Sequence, residues 1–170
     1  YDAVQRSKDW CVWMDADTFV HSTWAYEDFL KQLPDNAWIT YVGRGKGSQT
    51  WPECGFYGLN LNHPVCHEFL KEFERVYEEA DDGIFKLEEW HDSFVFGTIL
   101  NKMKEDFPTV LDYSANIYNN PAKTGGGGHP LINSDLGKWI DHLKGARKTE
   151  GRSKAKDLMS RRQEAYWNEV

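Results

Sequence analysis

Five apolar residues, Trp10-Cys11-Val12-Trp13-Met14, stop abruptly at Asp15-Ala16-Asp17. Such a run reads as a buried strand that delivers two carboxylates to the edge of a sheet. Ser22-Thr23 then signals a helix from about Trp24 to Leu33, closed by Pro34, with Phe29, Leu30 and Leu33 as its inner face. Ala37 to Val42 is β-branched and aromatic and predicts a short strand. Trp51 to Asn60 mixes aromatic residues with Gly55 and Gly58, which fits a strand approached closely by a ligand or another backbone, or one that carries a bulge. His63-Pro64 opens a helix to about Ala80, with Val65, Phe69, Leu70, Phe73, Val76 and Tyr77 at helical spacing. A second helix runs from about Ser93 to Glu105 on Phe94, Phe96, Ile99, Leu100 and Met103. Thr109 to Tyr113 and Lys138 to His142 read as strands, and a final helix from about Lys156 to Trp167 supplies Leu158, Met159, Ala165 and Tyr166. The alternation predicts an α/β fold of stacked layers without an internal repeat.

Two glycine-rich stretches interrupt the pattern. Gly43-Arg44-Gly45-Lys46-Gly47-Ser48 lacks the spacing of a phosphate-binding P-loop and reads as a mobile loop. Gly125 to Gly128 lies in a loop from Asn116 to His129 and marks a flexible segment that orders, if at all, over a ligand.

A chain of 170 residues, 40% of them hydrophobic, fits one globular domain, residues 1–170. No apolar run is long enough to span a bilayer, so the visible chain is expected to be soluble with no membrane segment. It starts at Tyr1, in what reads as the tail of a helix, so further sequence is expected upstream, with any signal or anchor there. Cys11, Cys54 and Cys66 are odd in number and show no CxxC spacing. That argues against a disulfide framework and points to reduced thiols in a cytoplasmic setting. Between Lys144 and Arg162, eight Lys and Arg face Glu150 and Asp157, a net of +6 that leaves −13 elsewhere against −7 for the whole chain. A basic tail beside an acidic body points to a local anion site, not a nucleic-acid surface.

Residues two apart on an extended segment face the same way, so Asp15 and Asp17 would repel each other unless a proton or a divalent cation lies between them. A surface Asp-x-Asp turn is the plainer alternative. Trp90-His91-Asp92 precedes the second long helix, where Asp92 is either a cap for that helix or a carboxylate held ionised by its dipole, suited to act as a base. The strand ending at His142 runs on into Leu143-Lys144-Gly145-Ala146-Arg147-Lys148.

Together, Asp15-Ala16-Asp17, Trp90-His91-Asp92 and His142-x-x-Gly145-x-x-Lys148 resemble, in order and character, the metal-dependent glycosyltransferases of the GT-A fold. The resemblance covers about Trp10 to Lys148. It implies a mixed sheet flanked by helices and transfer of a sugar from a nucleoside diphosphate-sugar to a carbohydrate or protein hydroxyl. In that pattern Asp15, Asp17 and His142 would hold Mn²⁺ or Mg²⁺ against the donor diphosphate, and Gly145 and Lys148 would meet the diphosphate itself. Asp92 would be the base on the acceptor hydroxyl of an inverting enzyme, with His91 where the family has Glu. Trp51, Glu53, Gly55, Trp90 and His91 would line the substrates. Only nine residues precede Trp10. The resemblance therefore implies the C-terminal portion of such a domain, without part of its N-terminal nucleotide-binding half.

Two other classes fit some of the same residues. Asp15-Ala16-Asp17 after an apolar strand also looks like the nucleophile motif of a haloacid dehalogenase-type phosphohydrolase, although Phe19 stands where that motif wants Thr or Val. A non-catalytic carbohydrate-binding domain derived from a glycosyltransferase would keep the aromatic residues without the chemistry.

Overall fold

In this computed structural model, which describes residues 9–44, 51–114 and 129–170, the strands divide into two sheets. β1 (Trp10–Met14), β3 (Ile39–Arg44), β4 (Trp51–Asn60) and β5 (Leu111–Asp112) form an open mixed sheet in the order β1-β4-β3-β5. The β1/β4 and β4/β3 pairs are antiparallel, and β3/β5 is parallel. β2 (Thr18–Val20) and β6 (Ile140–His142) make a separate antiparallel ribbon that sets Thr18 opposite His142. The molecule is thus a mixed α/β fold with an open mixed sheet flanked by helices.

Alternation along the strands feeds two cores, one on each face. Cys11, Tyr41 and Tyr57 join a cluster built on Trp38, Phe69, Phe96 and Leu100, whereas Val12, Val42 and Phe56 join one built on Leu131, Ile132, Leu136, Ile140 and Trp167. The first face is covered by α2 (Pro64–Glu78) and α3 (Asp92–Asp106). Both start on a histidine cap: His63 Nδ1 accepts from Val65 N–H at 3.3 Å and His91 Nδ1 from Phe94 N–H at 3.2 Å. The second core is closed by α4 (Pro130–Asn133), the β2–β6 ribbon and the C-terminal turns.

Several sequence expectations change here. β1 is an edge strand, paired only with β4 among the described residues, and its last two residues are open: Trp13 is 52% and Met14 44% exposed. An apolar run alone does not separate a central strand from an edge strand whose aromatic side chain lies flat on its neighbour, as Trp13 does on Tyr57. The first helix, α1, is only Tyr26–Leu30; its cap position is Ala25, which offers no side-chain acceptor, and Leu30 points outward while Leu33 is buried. On α2 the buried stripe runs through Cys66, Phe69 and Val76, with Tyr77 left exposed.

The expected final helix is absent. Residues 155–169 contain two short 3₁₀ turns, Ala155–Asp157 and Ala165–Glu169. Side chains from the body claim the intervening backbone: Asn133 accepts from Met159 N–H at 2.7 Å and donates to the Asp157 carbonyl at 3.0 Å. Arg162 in turn donates to the Ile132 and Ser134 carbonyls, each at 3.0 Å. These tertiary bonds outweigh a weak helical pattern. Gly45 to Ser48 and Gly125 to Gly128 lie outside the described residues.

All three cysteines are free, and burial foremost pushes the Cys54 and Cys66 thiols up to about 12. Among the described residues no helix is long and apolar enough to cross a membrane.

His21 ties the tail to the ribbon. Its ring stacks on Tyr166 at 3.9 Å, and Nε2–H donates to the Gly137 carbonyl at 3.3 Å. Burial lowers its pKa from the ordinary 6.5, against the raising influence of that carbonyl and of Asp141 and Glu164. The unfolded chain therefore binds more protons at this position as pH falls through about 6.5, and stability falls with it. His21→Phe, which keeps an aromatic ring on Tyr166, is expected to shrink the loss of Tm between about pH 7.5 and 5.5; an undiminished loss would place its source elsewhere.

Candidate metal centre

The site begins at an irregularity in the main sheet. Tyr41 of β3 pairs with Tyr57, but the next residue, Val42, pairs with Glu53, so Cys54, Gly55 and Phe56 bulge away from β3. The bulge is held from the other side: Phe56 pairs with Met14, and Asp15 N–H donates to the Gly55 carbonyl at 3.0 Å. Bulges of this kind re-aim side chains. Here the backbone at Gly55 leaves room for the His142 ring, since a Cβ on that residue would lie 2.5 Å from Cε1 and 2.7 Å from Nδ1.

His142, at the end of β6, is fully buried and has carboxylates on two sides. Its Nε2 lies 3.1 Å from Asp17 Oδ1 and 3.7 Å from Asp15 Oδ2. On its other side Nδ1 lies 3.8 Å from Glu53 Oε1. Asp15 and Asp17 do not continue the strand. They occupy the turn between β1 and β2, closed by Thr18 N–H donating to the Asp15 carbonyl at 3.0 Å. Leu143 N–H donates to the Asp17 carbonyl at 2.9 Å, locking that turn against the end of β6. The Trp13 indole N–H fixes Asp15 by donating to Oδ1 at 2.9 Å.

Lysines balance the acids. Lys148 Nζ lies 2.9 Å from Asp17 Oδ2, and Lys144 Nζ lies 2.9 Å from Glu53 Oε1. Burial alone would favour protonated Asp17, but the hydrogen bond from Lys148 and the charges of His142 and Lys148 outweigh it and lower its pKa below the ordinary carboxylate value. Gly145 supplies the turn between the two lysines with a left-handed φ of 64°. An open cavity of about 290 Å³ adjoins the site, faced by the basic groups of Lys144, Arg147 and Lys156 and by His129, against the acids Glu150 and Asp157, the latter 3.8 Å from the Arg147 guanidinium.

The three residues read from sequence as metal ligands, Asp15, Asp17 and His142, therefore meet although 125 positions separate Asp17 from His142. Their candidate ligand atoms all lie within 4.8 Å of one another. Ligand atoms about 2.0–2.2 Å from a divalent ion stand about 3 Å apart when adjacent, so the Asp17–His142 pair already has the right span. The set of two carboxylates and one imidazole could hold a metal ion.

The remaining expected residues are placed unequally. Trp51 opens β4 opposite Arg44. Glu53, expected along the substrates, is instead 2% exposed and lies behind His142. Trp90 is open, at 59%, and packs on Phe85. His91 takes the role of helix cap, and its Nε2–H donates to Glu89 Oε2 at 2.6 Å. Asp92 is thus relieved of capping the first turn; its Oδ1 accepts only the adjacent Ser93 N–H, at 2.8 Å, and the side chain is exposed. Its charge, with those of Glu53 and Asp15, adds to burial in raising the Cys54 thiol.

His129, Lys144 and Arg44 belong to the site without having been singled out in the sequence. Burial, then the charges of Arg147, His142, Lys144 and Arg44, push the His129 imidazole down to about 3. The available signal was His129-Pro130, a second copy of the His63-Pro64 helix start.

Gly55→Ala tests the packing of the centre. The added methyl meets a buried ring, so the ring or the bulge must shift and the spacing of His142 from its acids changes. The expected result is a Tm loss corresponding to about 1–3 kcal/mol together with weakened Mn²⁺ binding in a calorimetric titration. Wild-type values in both would show that the ring is not confined by this backbone.

The chain matches no family model, and neither the curated proteins nor the solved structures provide a match.

Proposed function

We propose that the protein is a metal-dependent glycosyltransferase of the GT-A type, moving a sugar from a nucleoside diphosphate-sugar to a carbohydrate or protein hydroxyl. The observation that carries this reading is the convergence of Asp15, Asp17 and His142 from two distant segments, with Lys148 on Asp17 and a basic cavity alongside. Cleaving a glycosyl–phosphate bond leaves negative charge on the departing diphosphate, and groups that stabilise that charge lower the barrier.

A divalent ion held by Asp15, Asp17 and His142 would supply electrostatic stabilisation of that leaving group. The chain's own residues account for the rest. Lys148, 59% exposed, is free to exchange Asp17 for a phosphate oxygen. Lys144, Arg147 and Lys156 present further positive charge at the cavity. Trp13 offers an exposed indole beside Asp15 on which a sugar face can stack. Asp92, exposed at the first turn of α3, is the proposed base that takes the acceptor proton.

The decisive assay measures donor hydrolysis and transfer over a panel of nucleotide-sugars with Mn²⁺. Turnover of one donor that disappears in Asp17→Asn is the expected result. Hydrolysis of phosphomonoesters without any nucleotide-sugar turnover would replace this reading with the phosphohydrolase one, and binding of free sugar without either activity would favour a carbohydrate-binding module. Asp92→Asn should lower transfer by roughly 10²–10⁴-fold while donor binding and Tm hold, because His91 and not Asp92 caps the helix. Normal transfer by that variant would remove Asp92 from the chemistry. Lys148→Ala should weaken donor binding in a salt-dependent way, whereas Lys154→Ala, whose ammonium pairs with Glu150 at 2.9 Å, should change it little; equal effects would mean a diffuse basic surface.

A further inference from the structure

Behind the candidate centre, on the Glu53 side of the His142 ring, lies a second group of ligating atoms. We propose that Glu53, His129 and His142 form a second cation site, of the zinc type, so that the single His142 ring stands between two metal positions and, with both filled, bridges them as an imidazolate that has released its N–H proton to solvent. The inference rests on this cluster and not on the transfer chemistry.

Four polar atoms carry it. Glu53 Oε2, His142 Nδ1 and both ring nitrogens of His129 are buried and have no hydrogen-bond partner among the described residues. The side chains of Glu53 and His142 are only 2% and 1% exposed. Each buried polar group left without a partner costs about 1–3 kcal/mol, so four of them in one place call for a common partner. Their spacing fits one. Candidate ligand atoms of the three residues all lie within 4.8 Å of one another, with Glu53 Oε2 3.7 Å from His129 Nε2 and Glu53 Oε1 3.8 Å from His142 Nδ1. Ligands about 2.1 Å from a tetrahedral zinc stand about 3.4 Å apart, so each Glu53–imidazole distance is within a few tenths of an ångström of that span, and the carboxylate and the two rings must draw together to share one ion. The two imidazoles meet edge to face, with centroids 4.9 Å apart and planes at 89°, rather than stacked.

Two imidazole nitrogens and one carboxylate form a borderline-soft set that favours zinc over magnesium, unlike the oxygen-rich set on the other side of the ring. Charge is manageable. Lys144 and Arg44 now neutralise Glu53, at 2.9 Å from Oε1 and 3.8 Å from Oε2, but their side chains are 53% and 44% exposed, and both can withdraw into solvent when a cation takes their place. Access runs through the basic cavity that His129 faces. The competing explanation is a purely orienting one, in which Glu53 holds the His142 Nδ1–H and His129 is packing.

The test uses the full chain stripped by chelator, dialysed against excess Zn²⁺ and analysed for bound metal, with Co²⁺ as the spectroscopic probe. Two ions per chain are expected for the wild type, falling to one in His129→Gln and to one, at the other position, in Asp17→Asn. The visible Co²⁺ band of the nitrogen-rich site should persist in Asp17→Asn and vanish in His129→Gln. Melting without metal checks that the variants fold. Should His129→Gln fail to fold, nitrogen-15 spectra of the wild-type imidazoles decide, since Zn²⁺ must shift a ring nitrogen of His129. An ion count in His129→Gln equal to that of the wild type, or an unmoved His129 resonance, would overturn the proposal in favour of the orienting role, whereas a single wild-type ion that is kept in Asp17→Asn and lost in His129→Gln would uphold this site and remove the other.

Discussion

The position of the His142 ring is the constraint on which the centre depends. A buried imidazole with acids on two sides needs a wall that keeps it from turning, and that wall is backbone: Gly55, at the point where β4 departs from β3. The bulge therefore does more than relieve strand twist. It brings Glu53 to one side of the ring, turns Phe56 into the second core, and offers the Gly55 carbonyl to Asp15. Removing any of these contacts would change the others, because consecutive residues of one short segment make them all.

Charge at the centre is arranged in exchangeable pairs. Asp17 and Glu53 each hold a lysine at 2.9 Å, and both lysines keep more than half of their side chain in solvent. An exposed ammonium is strongly hydrated and loses little on returning to water, whereas the half-buried Asp17 and the buried Glu53 are left without compensation unless another cation takes its place. Their effect is to keep Asp17 ionised and both carboxylates aimed while leaving them available to another cation. Asp141 is the contrasting case. Fully buried, it accepts from Ser153 N–H at 2.8 Å, the Ser153 hydroxyl at 2.6 Å and the Tyr166 hydroxyl at 2.7 Å, an arrangement that fastens the tail beneath β6.

Legibility in the sequence follows the range of the interactions involved. α2 and α3 are long and periodic, and β4 carries its own bulge signal in Gly55 and Gly58, so local pattern found them. The edge position of β1 was not readable from five apolar residues, because burial depends on what lies beside a strand. The C-terminal turns replace the expected helix because Asn133 bonds their backbone from far away in the chain, while Arg162 and Tyr166 within the segment are drawn to the Ile132 carbonyl and to Asp141. At the centre, Asp15, Asp17 and His142 could be grouped before the fold was known only through the order of motifs. Glu53 and His129 escaped that grouping because their significance lies in burial and in missing partners, which no spacing records.

The β2–β6 ribbon has a consequence for how the molecule comes into being. Its pairing joins Thr18 to His142, so it closes a loop spanning most of the chain, whereas β3 and β4 follow each other directly. Closing so long a loop costs entropy that only the finished ribbon repays, which makes this among the last contacts to form. A chain still emerging from the ribosome can pair β1, β3 and β4 and dock α2 and α3 while Asp15 and Asp17 have no imidazole to meet. The meeting of Asp15 and Asp17 with His142 therefore waits for the ribbon, and a truncation before residue 140 would leave most of the main sheet without this cluster.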